Sequence, residues 1–221
     1  MTVARVKVKI CGLTDEAGVE AAVAAGADFL GAVFFPPSPR AITPARAAEL
    51  FDGVPARVRR VGLFVDPDDR LLEAALSHVR LDMLQLHGDE DPERIEAIRG
   101  EFGLPVMRAL GIGDAADLDA ARRHAAAADW LLFDARPPAG ATRPGGNATT
   151  FDWALLKGRK WPCPWMLAGG LTPGNVADAI RASGARAVDV SSGVESTPGV
   201  KDADRIARFV AAAKGAGGSD R

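Results

Sequence analysis

Short apolar runs of strand length recur eight times along this chain, and stretches of helical character lie between them. The first is Val6-Lys7-Val8-Lys9-Ile10, followed by runs at 29–34, 60–65, 82–86, 105–110, 130–134, 165–168 and 187–190. Regular alternation of strand and helix predicts a parallel sheet joined by right-handed crossovers. About eight such units in 221 residues fit a closed α/β barrel, the single (β/α)8 TIM barrel, over residues 1–214. Residues 215–221 are expected to be a disordered tail. An open doubly wound sheet would call for Gly-x-Gly-x-x-Gly after the first strand, and the sequence has none there.

The helix starts are spelled out locally. Thr14, Thr43-Pro44, Asp66-Pro67, Asp91-Pro92 and Thr172-Pro173 place a capping side chain at a helix start, four of them with a proline behind it. Gly26 closes the first helix where a left-handed residue is favoured. Leu71, Leu72, Ala75, Leu76 and Val79 give the third helix an apolar stripe, and residues 151–156 are expected to form a short helix after strand six.

Composition matters here for what it excludes. Twenty-seven basic and 29 acidic residues leave a net charge of −2, which favours neither nucleic acid nor an anionic membrane as partner. Two cysteines, Cys11 and Cys163, make no disulfide framework and have no metal-ligand spacing. No charged and apolar leader precedes the first strand, and no apolar run is long enough to span a bilayer. A cytoplasmic protein, monomer or homodimer, is expected.

In a barrel the reactive groups sit at strand C-termini and in the loops behind them. This chain puts Cys11, Arg40, His87, Asp134, Gly169-Gly170, Asp189 and Ser192-Gly193 there. Gly169-Gly170 and Ser192-Gly193, after the last two strands, suit an anion such as phosphate, because glycine lets the backbone come close. Cys11 ends strand one and Asp134 strand six, nearly across the mouth. A small ring between them could be protonated on one side and deprotonated on the other. That demands a thiolate, favoured by an electropositive site, and a carboxyl kept protonated by burial or a like charge. Taken singly, Cys11 also reads as a core residue and Asp134 as a loop cap. Arg40, in a Pro-rich loop, can grip a carboxylate with two N–H bonds or be an ordinary surface arginine. His87 can bond a ligand or close a turn. Lys9 is a lysine at a strand end, the residue a Schiff-base aldolase would need, but alternation places it on the face opposite Ile10.

Lys9-Ile10-Cys11-Gly12, Ser38-Pro39-Arg40, Gln85-Leu86-His87-Gly88, Leu132-Phe133-Asp134, Gly145-Gly146 ahead of Phe151-Asp152-Trp153, Leu167-Ala168-Gly169-Gly170-Leu171 and Val188-Asp189-Val190-Ser191-Ser192-Gly193-Val194-Glu195 occur in this order. In them the chain resembles the phosphoribosylanthranilate isomerases of tryptophan biosynthesis, from Lys9 to about Phe209. The resemblance implies an aldose–ketose isomerase, an intramolecular oxidoreductase that converts N-(5-phosphoribosyl)anthranilate to 1-(2-carboxyphenylamino)-1-deoxyribulose 5-phosphate, an Amadori rearrangement, without metal or cofactor. It implies Asp134 as acid, Cys11 as base and Arg40 on the anthranilate carboxylate. His87 and Asp189 would line the pocket, with Gly146, Gly169, Gly170, Ser192 and Gly193 around the phosphate. One segment departs. Where the family has Gly-Gly-Thr-Gly, this chain has Gly145-Gly146-Asn147-Ala148, which loses the last glycine and its freely left-handed position, while Asn147 can adopt that conformation. The other readings are a different phosphosugar barrel enzyme, an epimerase or aldolase, and a non-catalytic barrel that binds a phosphorylated ligand.

Overall fold

The computed structural model describes residues 5–138, 140, 145 and 149–216. Eight parallel strands close in sequence order into a barrel. They are β1 (Lys7–Cys11), β2 (Phe29–Val33), β3 (Arg59–Phe64), β4 (Met83–Leu86), β5 (Val106–Ile112), β6 (Trp130–Ala135), β7 (Trp165–Leu167) and β8 (Ala187–Val190). The helices between and after them are α1 (Glu16–Ala25), α2 (Pro44–Phe51), α3 (Asp69–Leu76), α4 (Pro92–Phe102), α5 (Ala115–Ala121), α6 (Val176–Ser183) and α7 (Ala203–Ala216). The piece after β6 is a single 3-10 turn, Trp153–Leu156, rather than a full helix. Gly215 and Ala216, expected in the tail, belong to α7, and residues 217–221 lie outside the described part.

The side-chain period of two divides each strand between two cores. Val8, Ile10, Leu30, Leu84, Leu131, Phe133, Leu167 and Val188 join the helices in the outer core. Phe29, Val61, Met83, Met107, Leu132, Met166 and Ala187 form a second cluster, the packed lumen. Each fully buried side chain of this size contributes roughly 1.5–3 kcal/mol. Cys11, Val33 and Leu63 make a third, small cluster one layer higher, at the mouth.

This division bears out the alternation in β1, with Lys9 on the face opposite Ile10, and makes that face the lumen. Val8 and Ile10 face the helices, so the alternate residues Lys9 and Cys11 face the lumen. Lys9 is fully buried. The register of β1 with β8 explains how a lysine is tolerated there. Lys9 and Asp189 are direct neighbours across the two strands, and their side chains meet at 2.9 Å.

Two of the five expected caps hold as read. Thr43 and Asp91 accept from the N–H groups of Arg46 and Arg94, each with proline behind it. The other three slide along the chain. Asp15 caps α1, while Thr14 Oγ1 donates to the Gly199 carbonyl. Asp68 caps α3, leaving Asp66 in the turn at φ 46°. Asn175 precedes α6, and its side chain accepts from Thr172 N and donates to the Gly170 carbonyl. Asn175 thus staples the glycine turn behind β7. Leu71, expected on the α3 stripe, is exposed.

After β8 comes an antiparallel hairpin that the sequence reading lacks, β9 (Glu195–Thr197) with β10 (Val200–Lys201). The two strands are too short to show a period.

Candidate active site

Cys11, Arg40, His87, Asp134, Gly169, Gly170, Asp189, Ser192 and Gly193 all line one cavity at the C-terminal end of the barrel. Gly146 lies outside the described residues, as does Asn147 of the departing segment. Its neighbour Gly145 lines the cavity, and a β-carbon there would meet Asp134 Oδ2 at 2.7 Å and His87 Cε1 at 2.6 Å.

Asp134 comes from β6, three strands from β1 around the closed ring. Burial pushes its carboxyl up to about 7, and the charge of Asp189 adds to that push. The Ala135 N–H, 2.8 Å from Oδ1, and the Lys9 ammonium pull the other way. A carboxyl that is about half protonated at neutral pH can serve as a general acid.

His87 stands beside it. Its Nε2 is 3.5 Å from Asp134 Oδ2, and Gln85 Nε2 is 3.5 Å from its Nδ1. Burial, with Arg108 and Lys9 nearby, lowers His87 to about 3, so the ring is neutral near pH 7. An amide N–H donating to Nδ1 leaves the ring proton on Nε2, facing Asp134. Arg108 in turn holds the loop that carries His87, bonding the Leu86 and Gly88 carbonyls and Glu90.

Cys11 sits at the end of β1, opposite Gly31 in the register with β2. Burial pushes its thiol above the ordinary value, and Lys9 opposes that push. The resting group is therefore a thiol, not the thiolate that an electropositive pocket alone would favour.

Arg40 is buried, not a surface residue. Its two-bond grip falls on an internal carboxylate: Nε and Nη2 donate to Glu195 Oε1 and Oε2 at 2.7 and 2.8 Å. Lys201 donates to the same Oε1 at 2.7 Å, so two cations share one anion beside the cavity. Ser191 Oγ receives a bond from Lys201 and donates to the Cys11 carbonyl. The hairpin after β8 therefore fixes both Arg40 and the backbone of Cys11.

The loops behind β7 and β8 come together closely. A β-carbon on Gly193 would lie 1.9 Å from the Leu171 carbonyl oxygen, which no side chain survives. Gly170 is held at φ 60°. Gly193→Ala is expected to separate the two loops, lower the melting temperature by several degrees and raise KM about tenfold or more, while kcat changes less. Thermal melts and steady-state kinetics check this.

Lys9, Gln85, Gly145, Glu195 and Lys201 were not singled out from the sequence as site residues. The signal for two of them was present: Lys9 lies two residues before Cys11, and Gln85 two before His87, so each shares its partner's face. Glu195 and Lys201 carried no such signal.

Over residues 8–212 the chain matches the family model described as N-(5'-phosphoribosyl)anthranilate (PRA) isomerase. It is 65% identical over 210 residues to the N-(5'-phosphoribosyl)anthranilate isomerase of Paramagnetospirillum magneticum, covering 95% of this chain and 98% of that one. It is 64% identical to the enzyme of that name from Rhodospirillum rubrum, covering 94% and 97%. A crystal structure of phosphoribosyl anthranilate isomerase from Thermotoga maritima superposes with a TM-score of 0.84 at 37% identity, covering 95% of this chain and 99% of that one. Another, in complex with reduced 1-(o-carboxyphenylamino)-1-deoxyribulose 5-phosphate, gives 0.82 at 36% identity with the same coverage.

Proposed function

The chain belongs to the N-(5'-phosphoribosyl)anthranilate isomerase family, and on that premise we propose how its residues divide the isomerisation between them. The reaction is the aldose–ketose rearrangement of tryptophan biosynthesis. The epimerase, aldolase and non-catalytic readings are not favoured.

Asp134 gives its proton to the furanose ring oxygen, and the C1–O bond breaks to leave a Schiff base on the anthranilate nitrogen. Cys11, as thiolate, takes the proton from C2, and the electrons move to form an enolamine. Tautomerisation adds a proton at C1 and releases the one on the C2 oxygen. The four proton moves cancel over the substrate, and exchange with solvent supplies the C1 proton, takes the C2-oxygen proton, reprotonates Asp134 and ionises Cys11 for the next turnover. One observation carries this reading: a carboxyl held near neutrality and a thiol flanked by an ammonium line the same cavity, on strands nearly opposite each other.

His87, neutral, holds the acid in place through Nε2, and Asp189 faces the sugar. Gly169, Gly170, Ser192 and Gly193 surround the phosphate. Arg40 takes the anthranilate carboxylate through Nη1, since Glu195 occupies its other two nitrogens. Arg40→Ala is expected to raise KM about tenfold or more, the worth of a charged hydrogen bond, with a smaller fall in kcat. Steady-state kinetics on the carboxylated substrate and on its aniline analogue separate this from a general loss, because the analogue's KM should barely move.

We place the protein in the cytoplasm as a monomer or homodimer acting on a small phosphosugar. Among the described residues no helix is long and apolar enough to cross a membrane. The deciding assay follows the loss of the anthranilate-linked substrate by fluorescence, wild type against Cys11→Ser. Wild-type turnover in the variant would overturn the assignment of the base.

A further inference from the structure

A fully buried lysine needs a reason, and the proposed reaction gives Lys9 no direct part. Lys9 sits on β1 one inward step below Cys11, and its Nζ meets Asp189 Oδ1 at 2.9 Å. A β-carbon on Gly31 would touch both Cys11 Sγ, at 3.0 Å, and Lys9 Nζ, at 3.3 Å. The sulfur and the ammonium therefore flank the same small gap, and the missing side chain at Gly31 keeps it open. Replacing such a lysine by a hydrophobic residue of similar volume would remove the cost of burying its charge.

We propose that Lys9 is a positioning residue for Cys11: its buried ammonium, aimed by Asp189, holds the sulfur in its anionic form while the C2 proton is removed. The inference rests on Cys11 being the base. Lys9 is anchored on one side by a carboxylate and faces the sulfur on the other. Withdrawing water from around a charge pair strengthens the pair. The sulfur gains its charge inside this dry layer, so the ammonium favours the thiolate without touching substrate.

The other charged groups around the thiol come from every side of the mouth. Asp189 on β8 opposes thiolate formation and Lys201 on β10 supports it. Arg40 and Glu195 neutralise each other nearby, His87 is neutral, and Asp134 stands across the cavity. Among these Lys9 has the largest favourable effect on the thiolate. Asp189 also helps to keep Asp134 protonated. The pair thereby biases the two reacting groups in opposite senses: its cation serves the base, and its anion serves the acid.

The test reads the thiol directly. In a Cys163→Ser background, the rate of iodoacetamide modification of Cys11 is measured against pH for the parent, Lys9→Met, Lys9→Arg and the charge-neutral double variant Lys9→Met/Asp189→Asn. Lys9→Met should move the titration of Cys11 upward by about one pH unit or more, the effect of a neighbouring opposite charge. The basic limb of kcat should shift with it, kcat at neutral pH should fall about tenfold or more, and KM should hold. Lys9→Arg should recover part of the shift. If Lys9→Met does not fold, the double variant, which leaves no unpaired buried charge, should still titrate above the parent, by less. An unchanged titration in a folded variant lacking the lysine overturns the inference, however much activity is lost, and leaves the assignment of the base to the Cys11→Ser assay.

Discussion

Asp134→Asn is expected to lower kcat by about 10² to 10⁴, the range for a positioned acid, and to change the shape of the pH profile as well as its height. In the proposed mechanism the productive enzyme has a protonated carboxyl and an ionised thiol. Asp134 titrates at about 7, and burial holds Cys11 above the ordinary thiol range. The acid is therefore the group with the lower pKa, and the productive form is always a minority. Below pH 7 the carboxyl stays protonated while the thiolate falls tenfold per unit. Between the two values one gain cancels the other loss, so kcat is flat, and above the thiol's value it declines. The apparent values belong to the pair of groups. Asparagine cannot titrate, so the flat region disappears and the small residual rate climbs with pH until the thiol is ionised. A variant that kept the break near 7 would show that another group produces it.

The same substitution carries a control for folding. The folded carboxyl titrates at about 7, whereas a carboxyl in an unfolded chain titrates near 3.9. The folded state thus binds the proton more tightly. Stability falls as pH rises from about 4 to about 7 and is level above that. The Asp134→Asn variant has no carboxyl to ionise there and lacks this penalty. At pH 8 it should be more stable than its parent, by a few kcal/mol at about 1.36 kcal/mol per pKa unit, and at pH 5 the gap should narrow. Inactivity together with a raised melting temperature at pH 8 marks a lost acid rather than a damaged fold.

How much of this was legible depended on whether a signal was local. The eight strands were visible because each is a short apolar run between breakers, and 187–190 has the bounds of β8. Thr43-Pro44 and Asp91-Pro92 were read correctly because a cap and a first-turn proline act within one turn. Asp66-Pro67 and Thr172-Pro173 failed because the turns behind β3 and β7 needed those residues first: Asp66 accepts from Asp89 N, and Asn175 ties Thr172 to Gly170. The strand-end candidates were expected together from topology, since a barrel gathers those ends at one mouth, and they do line one cavity. Alternation put Lys9 on the face opposite Ile10, as it is found, but could not tell that this face is the lumen. In a closed barrel neither face is wet, and the polar residue of a strand can point to the axis. Arg40's engagement with Glu195 could not be read at all, because 155 residues separate the two and the hairpin that joins them is too short to announce itself.

Cys11→Ser is expected to reduce kcat by a comparable factor, about 10² to 10⁴, with KM little changed, since the two side chains are close in size. The loss follows from the atom. Burial raises the Cys11 thiol and the Lys9 ammonium opposes that push, and a thiol ionises far more readily than a hydroxyl in the same place. A serine hydroxyl in the same place would remain protonated across the working range, so nothing would remove the C2 proton. Ring opening by Asp134 would still proceed. The two variants therefore stop the reaction at different bonds, and an isotope tells them apart. With substrate deuterated at C2, Cys11→Ser should show a larger kinetic isotope effect than wild type, because C–H cleavage has become the slow step. Asp134→Asn should show a smaller one, because ring opening limits the rate before that bond is touched. Equal isotope effects in the two variants would mean that acid and base do not act on separate steps, and the division of labour between sulfur and carboxyl would have to be redrawn.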